Sequence, residues 1–167
     1  MIDGLTELWN RTYLDAHLVI ELSTARRSGH PLSCIMADVD CFKAINDTYG
    51  HGFGDDVLRA IASILAAGCR AEDIVCRYGG EEFTILLPNT EYSRAAELAE
   101  RLRTTIEARQ FLHRNTAVNV TCSFGVADLP SSIPPSIIEL ADSALYSAKE
   151  SGRNRVEVCR EPEVMHT

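Results

Sequence analysis

The sequence predicts an α+β fold: a central antiparallel sheet of about five strands with helices packed against it. Three observations predict it. Short apolar runs of strand length alternate with longer stretches whose apolar residues recur at helical spacing. Two of the short runs flank the pair Gly79-Gly80, which reads as a tight hairpin because glycine enters positive φ freely. The elements follow in the order helix, strand, two helices, hairpin, helix, strand, helix, strand. Without the leading helix this is β-α-β-β-α-β with additions.

Residues 1–11 form a turn-rich entry with a few apolar anchors. Tyr13 to Arg27 is a helix with Leu14, Leu18, Leu22 and Ala25 on one face, and Ser28-Gly29-His30-Pro31 stops it. Leu32 to Ala37 is almost wholly apolar and short, hence a buried strand, ending in Asp38-Val39-Asp40. A short helix, Cys41 to Thr48, follows, with Asp40 placed to cap it. Tyr49 to Asp56 reads as a three-glycine loop, with Asp55 and Asp56 at the start of the next helix, where negative charge suits the dipole. That helix runs to about Ala66, with Val57, Leu58, Ile61, Ile64 and Leu65 inward and Gly68 ending it.

Arg70-Ala71-Glu72-Asp73 is a charged turn before the hairpin, and Pro88-Asn89-Thr90 closes the hairpin. A helix to about Arg109 turns Ala95, Leu98, Ala99, Leu102 and Ile106 to the core. Val118 to Val126 alternates as a strand ending near Gly125, and Leu129 to Pro135 is a Pro/Ser loop. Ser136 to about Ser151 is an amphipathic helix with Ile137, Ala141, Ala144, Leu145 and Ala148 inward and Gly152 as its C-cap. Arg155 to Val158 is a short edge strand, and residues 160–167 are a frayed polar tail.

The 167 residues suggest one domain over 1–167, and 46% hydrophobic with 24% charged residues suits a soluble protein with a real core. A net charge of −8 argues against a general nucleic-acid binder and, with the small size, against a template-directed polymerase. The six cysteines contain no C-x-x-C pair, and they read as free thiols of a reducing compartment. No apolar run approaches the roughly 20 residues that span a bilayer. No leader peptide is evident, and the chain reads as a module that could be cut from a longer protein.

The chemistry gathers at the hairpin. Glu81 and Glu82 stand at or beside its tip, and like charges this close repel. Either they are a solvated acidic turn, or a hard cation with oxygen ligands, such as Mg²⁺, lies between them. In a β-α-β-β-α-β sheet the first and third strands commonly lie side by side. Asp38, costly at the end of a buried strand unless paired, would then approach Glu81 and Glu82. That convergence favours the metal.

These residues assembled, the chain resembles the GGDEF domain family, the diguanylate cyclases. The resemblance runs from Asp3-Gly4-Leu5-Thr6 with Asn10-Arg11 to Gly152-Arg153-Asn154. The signature stands as Gly79-Gly80-Glu81-Glu82-Phe83. Upstream are Asp38-Val39-Asp40, Phe42-Lys43, Asn46-Asp47, Gly50-His51 and Gly54-Asp55; downstream are Asp142, Ala144, Tyr146 and Ala148-Lys149. Glu7 departs from a usual Gly, Thr12 from a common Arg, and Cys41 occupies a variable position.

The resemblance implies a polymerase-palm-like, ferredoxin-derived fold that condenses two GTP to cyclic di-GMP and two pyrophosphates across a homodimer. It implies two Mg²⁺ or Mn²⁺ ions per half-site, held by Asp38, the Val39 carbonyl, Glu81 and Glu82, with Glu81 as proton acceptor. Lys43 would stabilise charge on the phosphates, and the main-chain N–H groups of Cys41, Phe42 and Lys43 would bind them. Asn46 and Asp55 would read guanine, with His51 nearby or in a loop hydrogen bond. Lys149 and Arg153 share a helix face as triphosphate contacts, and they also suit a helix C-terminus. Arg70 and Asp73, with Arg101, match an inhibitory product site. The family implies a cytoplasmic output domain with no membrane or nucleic-acid-polymer contact of its own. The alternatives are a silent GGDEF domain that senses GTP or cyclic di-GMP, which the intact signature disfavours, and a cyclase for adenine-containing products, which Asp55 disfavours.

Overall fold

The computed structural model describes residues 1–130 and 136–160. Helix α1 (Arg11–Ser28) begins where the Asn10 side chain accepts from the Tyr13 amide at 3.0 Å, and it ends at Gly29, whose φ of 74° lets its N–H turn back to Ala25. Strand β1 (Leu32–Val39) is buried throughout. Its run does not alternate because both of its faces are covered. Ile35, Ala37 and Val39 meet α3 (His51–Gly68) and α4 (Tyr92–Ala108), while Cys34 and Met36 meet α1 and α5 (Ile137–Glu150).

The five-stranded sheet has the order β2 (Ile74–Gly79), β3 (Glu82–Pro88), β1, β6 (Cys122–Asp128), β7 (Val156–Cys159). β1 lies antiparallel between β3 and β6, so the first and third strands of the core unit are neighbours as the sequence predicts. The edge strand differs in direction: β7 runs parallel to β6, because α5 carries the chain back between them. α5 also packs closest on the sheet. A methyl on Gly125 would collide with backbone atoms of Ala141, Ala144 and Leu145, so only glycine admits the helix there. The Ser136–Glu139 capping box starts α5.

Three further departures have local causes. α2 (Phe42–Tyr49) and α3 are joined through Gly50 alone, with φ 90°, so α3 begins at His51 and takes Gly52 and Gly54 into its first turns. Asp55 and Asp56 therefore lie inside the helix rather than at its start. The expected strand Val118–Val126 is split, since Val118 ends a separate small hairpin, β4 (Phe111–His113) with β5 (Thr116–Val118). Its two-residue turn, Arg114-Asn115, has φ of 48° and 66° without a glycine, so no breaker announces it. Residues 131–135 of the expected Pro/Ser loop and 161–167 of the expected tail lie outside the described residues.

The N-terminal turn is tied to the hairpin. Trp9 bonds through its backbone to Val75 and Arg77 on β2, and its ring stacks on Tyr13 at 3.7 Å, which stacks on His17 at 3.8 Å. Glu7 takes a left-handed φ of 63°, at the position where the GGDEF pattern usually has Gly. All six cysteines are free: Cys34, Cys76 and Cys122 are buried, Cys69 and Cys159 half-buried, and Cys41 exposed. Burial pushes the Cys76 thiol up to about 12, so it stays protonated. Among the described residues no helix is long and apolar enough to cross a membrane.

Candidate active site

The hairpin turns through Gly80 and Glu81, with Gly79 paired to Glu82. Gly80 has φ 34°, and its carbonyl accepts from Arg77 at 2.8 and 3.0 Å. The same guanidinium reaches Asp3 at 3.2 Å, so one arginine fixes both the N-terminal turn and the tip. β1 passes beside this tip. Asp38 is in register with Glu82, and the Val39 N–H donates to the Glu81 carbonyl at 3.2 Å.

Asp38 is 5% exposed, and its carboxylate is held by Lys149 Nζ at 2.6 Å. Burial raises its pKa to about 6, with Glu81 and Glu82 adding to the rise and Lys149 opposing it. The neighbourhood is short of positive charge, and its donors are all hard oxygens, which suits Mg²⁺ or Mn²⁺. The expected convergence of three carboxylates is therefore met in the strand register. It is not met as a closed cage, since among the described residues no three acidic, histidine or cysteine side chains stand close enough to hold an ion. Lys149 is the cation at Asp38.

Beyond Val39 the chain turns sharply. Cys41, with φ 54°, is the N-cap of α2, and its side chain makes no capping hydrogen bond. Asp40 does not cap α2, in contrast to the sequence expectation. It is buried and accepts from Thr121 Oγ1 at 2.7 Å, Ser123 Oγ at 2.6 Å and the Asn154 N–H at 3.0 Å. The first amides of α2, from Phe42 and Lys43, lack intrahelical acceptors and are open to an anion. Lys43 and Arg153 are exposed, and no described residue engages either cation in an ion pair.

Asn46 on α2 faces α3 across Gly54. Its Oδ1 is buried and has no partner among the described residues, and a methyl at Gly54 would run into that atom. An orphaned buried acceptor in a cradle kept open by glycine is a place for a donor from outside. Asp55, next on α3, is half-buried, and His51 at the head of α3 is exposed.

Arg70, Asp73 and Arg101 come together at the opposite end of β1 and β3 from Asp38 and Glu82, lining one cavity of about 460 Å³ between the charged turn and α4. Asp73 is buried; it accepts from the Arg70 N–H at 2.8 Å and from the Arg70 guanidinium at 3.3 Å. Arg70 also donates to Thr90 Oγ1 at 2.6 Å. Arg94 joins the lining, a residue that the sequence analysis did not name. Its signal was present, because seven residues separate it from Arg101 and two helical turns put both on one face.

The sheet order, the buried carboxylate at the end of the central strand and the acidic hairpin tip define an α+β domain of the palm type. The chain belongs to the family "Diguanylate cyclase, GGDEF domain", whose model matches residues 1–155. It is 44% identical over 161 residues to diguanylate cyclase A of Treponema denticola, covering 92% of this chain and 43% of that protein. Among solved structures it is similar to the active GGEEF domain of a diguanylate cyclase from Vibrio cholerae, at 37% identity and TM-score 0.85, covering 93% of this chain and 99% of that one. It is also similar to the GGDEF domain of DgcB from Caulobacter crescentus in complex with c-di-GMP, at 36% identity and TM-score 0.88, with 94% and 92% covered. The chain spans less than half the length of the curated relatives it matches.

Proposed function

We propose that this domain is a diguanylate cyclase, condensing two GTP to cyclic di-GMP and two pyrophosphates. One observation carries the reading. A buried carboxylate at the end of the central strand, paired with one lysine, lies beside a hairpin tip bearing two more carboxylates. Such a site asks for positive charge and for a polyanion that brings it. The GGEEF signature shared with a domain named active supports the same reading.

In this reading each of two facing protomers holds one GTP. The 3′-hydroxyl of each ribose attacks the α-phosphorus of the other nucleotide; a P–O bond forms there, the α–β anhydride bond breaks, and pyrophosphate leaves. Glu81 takes the hydroxyl proton. Asp38, the Val39 carbonyl, Glu81 and Glu82 would hold Mg²⁺ or Mn²⁺, two per half-site, which would neutralise the triphosphate and acidify the attacking hydroxyl. Lys43 and the amides of Cys41, Phe42 and Lys43 bind phosphate at the α2 N-terminus. Asn46 and Asp55 take the guanine N–H groups, and His51 flanks them. Lys149 and Arg153 grip the triphosphate. The cavity around Arg70, Asp73, Arg94 and Arg101 receives the product as an inhibitor; that a similar GGDEF domain is solved in complex with c-di-GMP supports product binding. GTP as substrate supports a cytoplasmic site of action.

The test is cyclic di-GMP formation from GTP and Mg²⁺ at rising protein concentration, with Glu81→Gln as control. Specific activity should climb with concentration and fall at least about 100-fold in the variant, the usual worth of a general base. Tight nucleotide binding with no product, even from a forced dimer, would replace the cyclase with a sensor.

A further inference from the structure

The turn that follows α5 is unusual. Gly152, Arg153 and Asn154 have φ of 117°, 63° and 47°, three left-handed residues in a row, two of them not glycine. The first part is an ordinary helix end: the Gly152 N–H reaches Lys149 O and the Arg153 N–H reaches Ala148 O. Nothing in that motif requires Arg153 and Asn154 to stay left-handed. Such backbone persists where its surroundings over-determine it.

Here they do, from three elements at once. The Asn154 N–H donates to Asp40 Oδ2 at 3.0 Å and to Ser123 Oγ at 3.2 Å, which anchors it to the end of β1 and to β6. The Asn154 side-chain carbonyl accepts from Arg103 Nη1 at 2.9 Å, and its amide donates to Glu107 Oε2 at 2.7 Å, which anchors it to α4. Arg103 is itself fixed by Glu100 and Glu107, both at 2.6 Å, and its side chain is 15% exposed. All of these bonds except that to Ser123 are charge-assisted, the kind that holds a geometry most firmly. Meanwhile the Arg153 side chain, between the two anchored ends, makes no ion pair among the described residues.

From this we infer that Asp40, Asn154 and Arg103 are positioning residues that hold Arg153 in a left-handed turn, presented to the triphosphate in advance of binding. The inference rests on the cyclase reading, in which Arg153 is a phosphate contact. Its chemical content is preorganisation: the turn is already strained into the bound shape, so binding does not spend affinity on ordering it. Arg103 acts from α4, a helix that carries none of the residues assigned to GTP.

A titration of GTP and GMP, on the wild type and on Arg103→Ala and Asn154→Gly, decides it. Asn154→Gly keeps the left-handed backbone and its N–H to Asp40 but removes the link to α4. Both variants should bind GTP about 5- to 10-fold more weakly and GMP within about 2-fold of wild type, since guanine is read elsewhere. The steady-state loss should fall on KM more than on kcat, and Arg103→Lys should recover part of it. If Arg153→Ala weakens GTP but both network variants bind like wild type, the inference falls and the cyclase reading stands. If GTP and GMP weaken together, the network is structural only, which also overturns it. A wild type that does not prefer GTP to GMP would overturn the cyclase reading itself.

Discussion

Asn46→Ala should make the nucleotide-free protein more stable while making it a worse guanine binder. The Asn46 Oδ1 is buried without a partner among the described residues, and an unsatisfied acceptor of this kind costs about 1–3 kcal/mol. Truncation removes that cost and loses some packing against α3, for a net gain of about 1 kcal/mol, or about 2–4 °C in a chain of this size. In the cyclase reading the same change deletes a hydrogen bond to guanine, which should weaken binding about 10-fold or more. At ligand one hundred times the wild-type Kd, protection is about 2.7 kcal/mol, and with a tenfold weaker Kd it falls to about 1.4 kcal/mol. Calorimetric scans with and without 3′-deoxy-GTP, which lacks the attacking hydroxyl, read both effects in one experiment. A variant that loses more than about 1 kcal/mol in the free state and keeps the full nucleotide shift would refute the argument.

Other outcomes follow from residues already placed. Asp38 binds a proton up to about pH 6 when folded but only to about 3.8 when unfolded, so the folded state holds more protons in that window and stability falls as pH rises through it. Urea denaturation from pH 4 to 7 should show about 1–3 kcal/mol of that loss, and Asp38→Asn should flatten it; identical slopes would reject the burial argument. Gly125→Ala drives a methyl into the α5 backbone and should lower stability by at least about 2 kcal/mol, read as Tm. Arg70→Ala should raise the inhibition constant of cyclic di-GMP about 10-fold or more with catalysis intact, and an unchanged constant would remove the inhibitory reading of that cavity.

What the sequence reveals follows the range of the interactions. β1, α1, α4 and α5 are legible because apolar period and length decide them, and the hairpin because Gly79-Gly80 marks its turn. The boundary of α3 is hidden because two glycines inside its first turns look like a loop. The β4–β5 turn is hidden because Arg114 and Asn115 adopt left-handed backbone with no glycine to signal it. Asp40 shows the deeper limit. Beside a helix start a carboxylate reads as a cap, yet its partners, Thr121, Ser123 and Asn154, stand more than eighty residues away. The Arg70–Asp73 pair and Arg101 are recognisable as fragments of a pattern. That they share one cavity with Arg94 is a fact of packing.

The stacked rings at the N-terminal turn give the protein a built-in optical probe. Trp9 is the chain's only tryptophan, and it sits face to face with Tyr13 while its backbone is bonded to the strand that leads to the hairpin tip. Its emission therefore reports on a single joint. Separation of that joint would change the ring's surroundings while the helical signal in circular dichroism stayed constant. Fluorescence and ellipticity, followed together, would tell loosening at the hairpin from loss of the whole fold without attaching any label.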